Sequence, residues 1–182
     1  MTAPISARIE TERLILRRWR DEDAEPYAEI CADPEVMRWI GNGTTRTAEE
    51  SAAAIERFEQ TWERRGFGPF AVELRRTGRL IGFNGFLSPD FLPEILPAVE
   101  IGWRLARDAW GQGLATEGAQ AALRFGFDDL GLQRVVSIYQ VGNSASARVM
   151  EKLGMRLERE TVDPETGRRV RVCDISKSAF SG

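Results

Sequence analysis

The chain has 182 residues, 42% hydrophobic and 29% charged, with 25 basic against 28 acidic side chains and a formal net charge of −3. That length and balance fit one soluble globular domain spanning 1–182, with no general attraction for nucleic acid or an anionic membrane. The absence of histidine removes Ser-His triads, Cys-His pairs and most zinc sites, and Cys31 and Cys173 lie far apart without metal spacing. No metal is therefore expected, and free thiols in a reducing, cytoplasmic setting are the default. No window approaches the roughly 20 apolar residues of a membrane helix, and Met1 to Ile9 lack the apolar run of a signal peptide.

In chain order, Leu14 and Leu16 alternate with charged residues and predict a first strand over residues 13–18. Asp21 is expected to cap a helix running to about Ala32, with Pro26 near its first turn. A turn at Asp33-Pro34 leads to a short apolar helix over 36–40, broken by Gly41-Asn42-Gly43. Thr47-Ala48-Glu49-Glu50 reads as a capping box, and Ala54, Ile55, Phe58 and Trp62 continue it as a helix to about Arg65. Alternation then predicts a hairpin of two strands, 70–74 and 80–87, turning at Thr77-Gly78. The connection 88–97 carries three prolines beside Phe91, Leu92, Ile95 and Leu96; a lid, a dimer contact and a satellite core all fit so apolar a loop. A fourth strand follows over 98–105, with Val99, Ile101, Trp103 and Leu105 on one face and Ala98, Glu100, Gly102 and Arg104 on the other. Next come a helix from residue 115 stopped at Gly131, a strand over 134–141, a helix capped at Asn143 or Ser144 with Ala145, Val149 and Leu153 on its core face, and two strands over 155–162 and 169–175. The strand–helix–strand passage from 98 to 141 asks for a parallel crossover in an otherwise antiparallel set.

Two segments carry chemistry. Trp110-Gly111-Gln112-Gly113-Leu114-Ala115-Thr116-Glu117 is a glycine-spaced turn that opens a helix. Such a turn aims several backbone N–H groups at one point, beside the positive end of the helix dipole, and suits phosphate oxygens. It lacks the P-loop lysine and is not the dinucleotide fingerprint after a first strand, which counts against nucleotide triphosphates and dinucleotides. A ligand-free tight turn fits this segment equally well when it is read alone. Some thirty residues on, Asn143 through Met155 form a polar-capped helix that ends at Gly154. The basic runs 17–20 and 168–171 have acidic neighbours and read as solvated faces or strand edges, with an anionic cofactor as the functional alternative.

Taken in order, residues 12–17, Asp33-Pro34-Glu35-Val36, Glu100-Ile101-Gly102-Trp103, Trp110 through Glu117 and Asn143 through Met155 resemble the GNAT superfamily of N-acetyltransferases, and within it the branch that acetylates ribosomal-protein N-termini. The resemblance covers nearly the whole chain. It implies an α/β (α+β) domain whose mixed, mostly antiparallel sheet is splayed between its fourth and fifth strands, with helices on both faces. It implies acetyl-CoA as co-substrate, and direct transfer to a primary amine in a ternary complex. The pyrophosphate is expected on backbone N–H groups from Gly111, Gln112, Gly113, Leu114, Ala115 and Thr116, with Trp110 standing where the family has Gln or Arg. The pantetheine arm is expected along Trp103 and Leu105, with Asn143 as a polar contact that also serves as an N-cap.

At the family's usual tyrosine position this chain has Met150, so Ser146 becomes the candidate acid for the departing thiolate as well as a cofactor contact; a small residue packing on the pantetheine fits it too. Glu100 is the candidate base, its pKa raised by apolar surroundings, against the alternative of an ordinary solvent-facing glutamate. A backbone N–H of the same strand is expected to hold the developing oxyanion. The acceptor site is expected from residues 39–47, 83–86 and 88–97. A non-catalytic acyl-CoA sensor and a transferase using another donor such as succinyl-CoA remain alternatives, and a homodimer is a family-level expectation.

Overall fold

The alternating segments assemble into one eight-stranded sheet in the computed structural model, which describes residues 7–180. The outermost residues of the expected 1–182 span, and most of the stretch read for a signal peptide, lie outside the described residues. The strands are β1 (Ile9–Glu10), β2 (Leu14–Arg17), β3 (Pro69–Leu74), β4 (Leu80–Leu87), β5 (Glu100–Leu105), β6 (Arg134–Gln140), β7 (Arg156–Val162) and β8 (Arg169–Ser176). The helices are α1 (Ala24–Ala32), α2 (Pro34–Met37), α3 (Ala48–Arg65), α4 (Leu114–Asp128) and α5 (Ser144–Lys152). The sheet order is β1-β2-β3-β4-β5-β6-β8-β7, and every neighbouring pair is antiparallel except β5–β6. Helix α4 is the expected crossover. The fourth and fifth strands of the sequence reading are β5 and β6, because the two-residue β1 is too short to show a pattern.

Local chemistry sets most element ends. The capping box at α3 forms as read: Thr47 Oγ1 accepts from the Glu50 amide (3.2 Å), and Glu50 Oε2 accepts from the Thr47 amide (2.8 Å). Gly66, at φ 71°, closes the helix in the left-handed conformation. The start of α1 differs from expectation. Residues Asp21–Asp23 form a 3₁₀ turn, and Asp23 rather than Asp21 organises it. The Asp23 carboxylate accepts from the Arg20 amide (2.8 Å) and from both terminal nitrogens of the buried Arg17 (2.7 and 2.9 Å). Arg17 in turn donates to Glu73 at 2.8 Å, a partner fifty-six positions away that local patterning does not show. Its guanidinium pKa is pushed up, mainly by the bond to Asp23. Helix α2 ends at Met37 rather than Ile40, and β5 begins at Glu100 rather than Ala98.

Helices cover both faces. Phe70 and Val72 of β3 point into a cluster with Phe86, Ile101, Leu114, Ala119, Leu123, Phe127, Val135 and Met150, under α4 and α5. Ala71, between them, faces a second cluster of Trp19, Tyr27, Cys31, Met37, Ala54, Leu80 and Phe83 under α1 and α3. Each large apolar side chain fully buried there contributes roughly 1.5–3 kcal/mol. The apolar 88–97 connection is a satellite core: Leu92, 1% exposed, packs with Val136, Val170 and Val172. Most arginines of the basic runs are paired with acids, Arg17 as above, Arg18 with Glu59, and Arg169 and Arg171 with Glu160, whereas Arg168 bonds to carbonyl and amide oxygens.

Candidate active site

The parallel pair β5–β6 holds at one register only, Glu100 opposite Val136, and the strands then diverge. Alternate residues of a strand address the same neighbour, so the carbonyls of residues 99, 101, 103 and 105 face the β6 side. The Val136 amide donates to Val99 O at 2.9 Å, and Ser137 Oγ donates to Ile101 O at 2.8 Å. At the far end the indole N–H of Trp110 donates to Leu105 O at 2.9 Å. The Trp103 carbonyl between them has no partner among the described residues. Of the two residues expected to offer backbone to the pantetheine arm, Trp103 therefore has a free strand edge, whereas Leu105 is already engaged and turns its side chain into the core.

Helix α4 opens onto this split. Gly111 and Gly113 adopt φ 72° and 78°, which a side chain would strain. The first amides of the helix have no intrahelical acceptor, and no side chain caps them. The turn is braced from outside the cleft. Arg13 donates to Gln112 O (2.8 Å) and to Glu117 (2.7 Å), and Thr11 Oγ1 donates to Glu117 (2.6 Å). Hydrogen bonds from Thr11 and Arg13 outweigh burial and hold the Glu117 carboxyl below its ordinary pKa.

One cleft of about 460 Å³ joins these features, lined by Trp103, Leu105, Gly111, Gly113, Leu114, Ala115, Thr116, Asn143 and Ser146 among others. Of the expected cofactor residues Gln112 alone is not on its wall. Its side-chain amide donates to Asp108 O (2.8 Å) and its carbonyl is held by Arg13. Unsatisfied amides beside an open strand edge fit a pyrophosphate with an amide-bearing arm.

Asn143 is the N-cap of α5: its Oδ1 accepts from the Ser146 amide (3.2 Å) and its Nδ2 donates to Ser146 Oγ (3.1 Å). The serine hydroxyl thus has a lone pair occupied while its own proton is uncommitted among the described residues. The helix is rotated relative to the sequence reading. Met150, expected on the edge with Asn143 and Ser146, is 2% exposed in the core, while of the expected core face Leu153 is buried, Val149 packs against the core but also lines the cleft, and Ala145 lines the cleft. Adjacent helical rows fit the same 3.6-residue period, and the larger Met side chain takes the buried one.

Glu100 is buried at 9% exposure, not solvent-facing. Loss of hydration pushes its pKa up to about 8, partly offset by a hydrogen bond from the Ile138 amide. It sits where β5 and β6 still pair and does not border the cleft.

The opposite wall comes from residues 35–40, near the 39–47 segment expected to meet the acceptor. This segment is strapped across the split. Arg168 donates to Arg38 O (3.2 Å), Asn42 O (2.5 Å) and Gln140 Oε1 (2.8 Å), and Gln140 Nε2 donates to Gly41 O (2.6 Å). Arg168 is legible in sequence only as part of a basic run and Gln140 not at all, since the backbone they hold in the 38–42 segment lies about a hundred or more positions away. Arg104, 8% exposed on the cleft wall, likewise carried no signal beyond strand alternation.

Residues 13–156 match the family described as "Acetyltransferase (GNAT) domain". An uncharacterized N-acetyltransferase of Bacillus subtilis, YoaA, is 31% identical over 150 residues, covering 82% of this chain and 83% of its own. A GNAT-family acetyltransferase structure from Bacillus anthracis superposes with a TM-score of 0.79 at 27% identity, over 94% of this chain and 99% of that one. Mycobacterium smegmatis RimJ, solved in complex with CoA-disulfide, shares the fold, with a TM-score of 0.76 at 18% identity over 93% and 84% of the two chains. No helix among the described residues is long and apolar enough to cross a membrane. The split parallel pair, the glycine-opened helix beside it and these matches agree: the chain belongs to the GNAT acetyltransferase family, enzymes that use acetyl-CoA as co-substrate.

Proposed function

We propose that this protein transfers an acetyl group directly from acetyl-CoA to a primary amine, both substrates being bound together. The observation that carries the reading is the single cleft in which the bare amides of α4, the free edge at Trp103 and the uncommitted hydroxyl of Ser146 converge. The amides from Gly111 to Thr116 hold the pyrophosphate oxygens, and Trp103 and Asn143 hold the arm. Bound there, acetyl-CoA supplies the activated acyl group. Ser146, its oxygen held by Asn143, passes its proton to the departing sulfur as the carbon–sulfur bond breaks and takes a proton back from solvent. Glu100, whose raised pKa suits proton capture near neutral pH, accepts the amine proton through intervening water, because it stands back from the cleft wall. The amine enters under the strapped segment that includes residues 39–47. The free, buried thiols of Cys31 and Cys173 support work in a reducing compartment such as the cytoplasm. The test is thiol release from acetyl-CoA against short N-terminal peptides, amino acids, polyamines and aminoglycosides. Amine-dependent release supports the reading. Acetyl-CoA binding without release from any amine favours a sensor and overturns it.

A further inference from the structure

Arg104 is the one buried charged residue on the cleft wall, and among the described residues its charge is left unanswered; the wall's other cations, Arg38, Arg148 and Lys152, are exposed. Its side chain is 8% exposed and its Nε is buried without an acceptor. The guanidinium lies 5.5 Å above the Phe83 ring, and one terminal nitrogen donates to Tyr27 Oη (3.1 Å) and Cys31 Sγ (3.4 Å). None of these neighbours is a carboxylate, and no ion pair involves Arg104 among the described residues. Burial holds the Tyr27 hydroxyl in its neutral form, its pKa pushed well up. A second arginine stands close by. Arg46 is half-buried, and its pKa is lowered by burial first and by the charge of Arg104 next. The acid on the same cleft wall, Glu35, is exposed and faces Arg38 at 3.8 Å. A buried guanidinium without a counter-charge is expensive to maintain, and more so beside another cation. The other large buried cation, Arg17, shows how the fold answers such a charge, with Asp23 at 2.7 Å and Glu73 at 2.8 Å. Arg104 follows the free edge residue Trp103 directly but points to the opposite face, toward α1, where the acceptor enters in the reading above.

We propose that Arg104, supported by Arg46, binds a carboxylate carried by one of the two substrates. The substrate class is then an amine that bears a carboxylate, such as an amino acid, or a dicarboxylic acyl group on the donor. The inference rests on the transferase reading for its position in the reaction, but the anion site has its own readout.

Turnover is compared in two arms. The first uses acetyl-CoA with amino acids and with their carboxamides; the second uses succinyl-CoA against acetyl-CoA with a neutral amine. Melting temperature is read in parallel with succinate and with chloride at equal ionic strength. The variants are Arg104→Met, which keeps a long apolar side chain beside Phe83 without the charge, and the less buried Arg46→Gln, which guards against misfolding. The expected result is a preference of about 10- to 100-fold for the carboxylate in one arm, as for a hydrogen bond to a charged group. Preference in the first arm assigns the carboxylate to the acceptor, and preference in the second assigns it to the acyl group. Arg104→Met abolishes the preference, Arg46→Gln weakens it, and succinate stabilises the wild type alone. A preference that survives both substitutions overturns the proposal, as does active enzyme with no preference in either arm. Absence of all turnover with succinate stabilisation that Arg104 controls sinks the transferase reading and leaves the anion site standing. Absence of both sinks the two together.

Discussion

In the proposed reaction Ser146 and Glu100 take different roles because their surroundings differ. Ser146 lies on the cleft wall with its oxygen fixed by Asn143, so Ser146→Ala removes a donor without disturbing the cap, which uses the Asn143 side chain and the Ser146 amide. The expected outcome is a fall in kcat of about 100-fold with little change in KM for acetyl-CoA, measured by thiol release at saturating donor. An unchanged kcat would leave the serine as a packing residue. In its proposed role as base Glu100 acts only when deprotonated, and burial pushes its pKa up to about 8, so kcat/KM is expected to rise with pH and level off above that value. In Glu100→Gln this limb disappears and the rate falls. A variant with the same pH profile would return the proton to solvent. The cap that places Asn143 and Ser146 on the cleft wall was legible because it is a local device within three positions. The rotation that buries Met150 was not, since two neighbouring helical rows satisfy the same period.

Where α4 and α5 begin follows from glycine spacing and from one capping asparagine, and both starts were readable because each rests on contacts between near neighbours. The start of α1 depends instead on an ion pair. Asp23 holds the buried Arg17 and the Arg20 amide at once, so it joins the end of β2 to the first turn of the helix. Asp23→Ala strands a guanidinium at 7% side-chain exposure with Glu73 as its remaining partner. A loss of about 3 kcal/mol is expected, read as a lower urea midpoint with an unchanged slope. A loss under about 0.5 kcal/mol, typical of a surface change, would mean that Glu73 suffices. Tyr27, Cys31 and Met37 pack together beneath the side of the cleft where the amine is proposed to enter, so weaker binding of the amine is expected to accompany the loss.

For the molecule as a whole, Glu100 sets a conflict between activity and stability. Its folded pKa, about 8, stands above the ordinary carboxyl value of 4.5. Between those values the folded protein keeps a proton that the unfolded chain releases, so stability falls as pH rises through that window and the loss is complete above about 8. Calorimetry at about pH 5 and about pH 9 is expected to show the melting temperature of the wild type falling further than that of Glu100→Gln. Equal falls would place the pH dependence elsewhere. The sequence by itself determined the layout: strand alternation, helical period, caps and glycine turns are written over a few neighbouring residues, and they defined a mixed sheet with one parallel crossover and a glycine turn that opens the crossover helix. Only the tertiary structure decided which side chains share the cleft. Arg104 meets Tyr27 across seventy-seven positions, and Arg168 reaches Asn42 across one hundred and twenty-six. No local pattern encodes such pairs, because alternation gives a residue its face of the sheet and leaves its neighbours there to the order in which distant strands and helices pack.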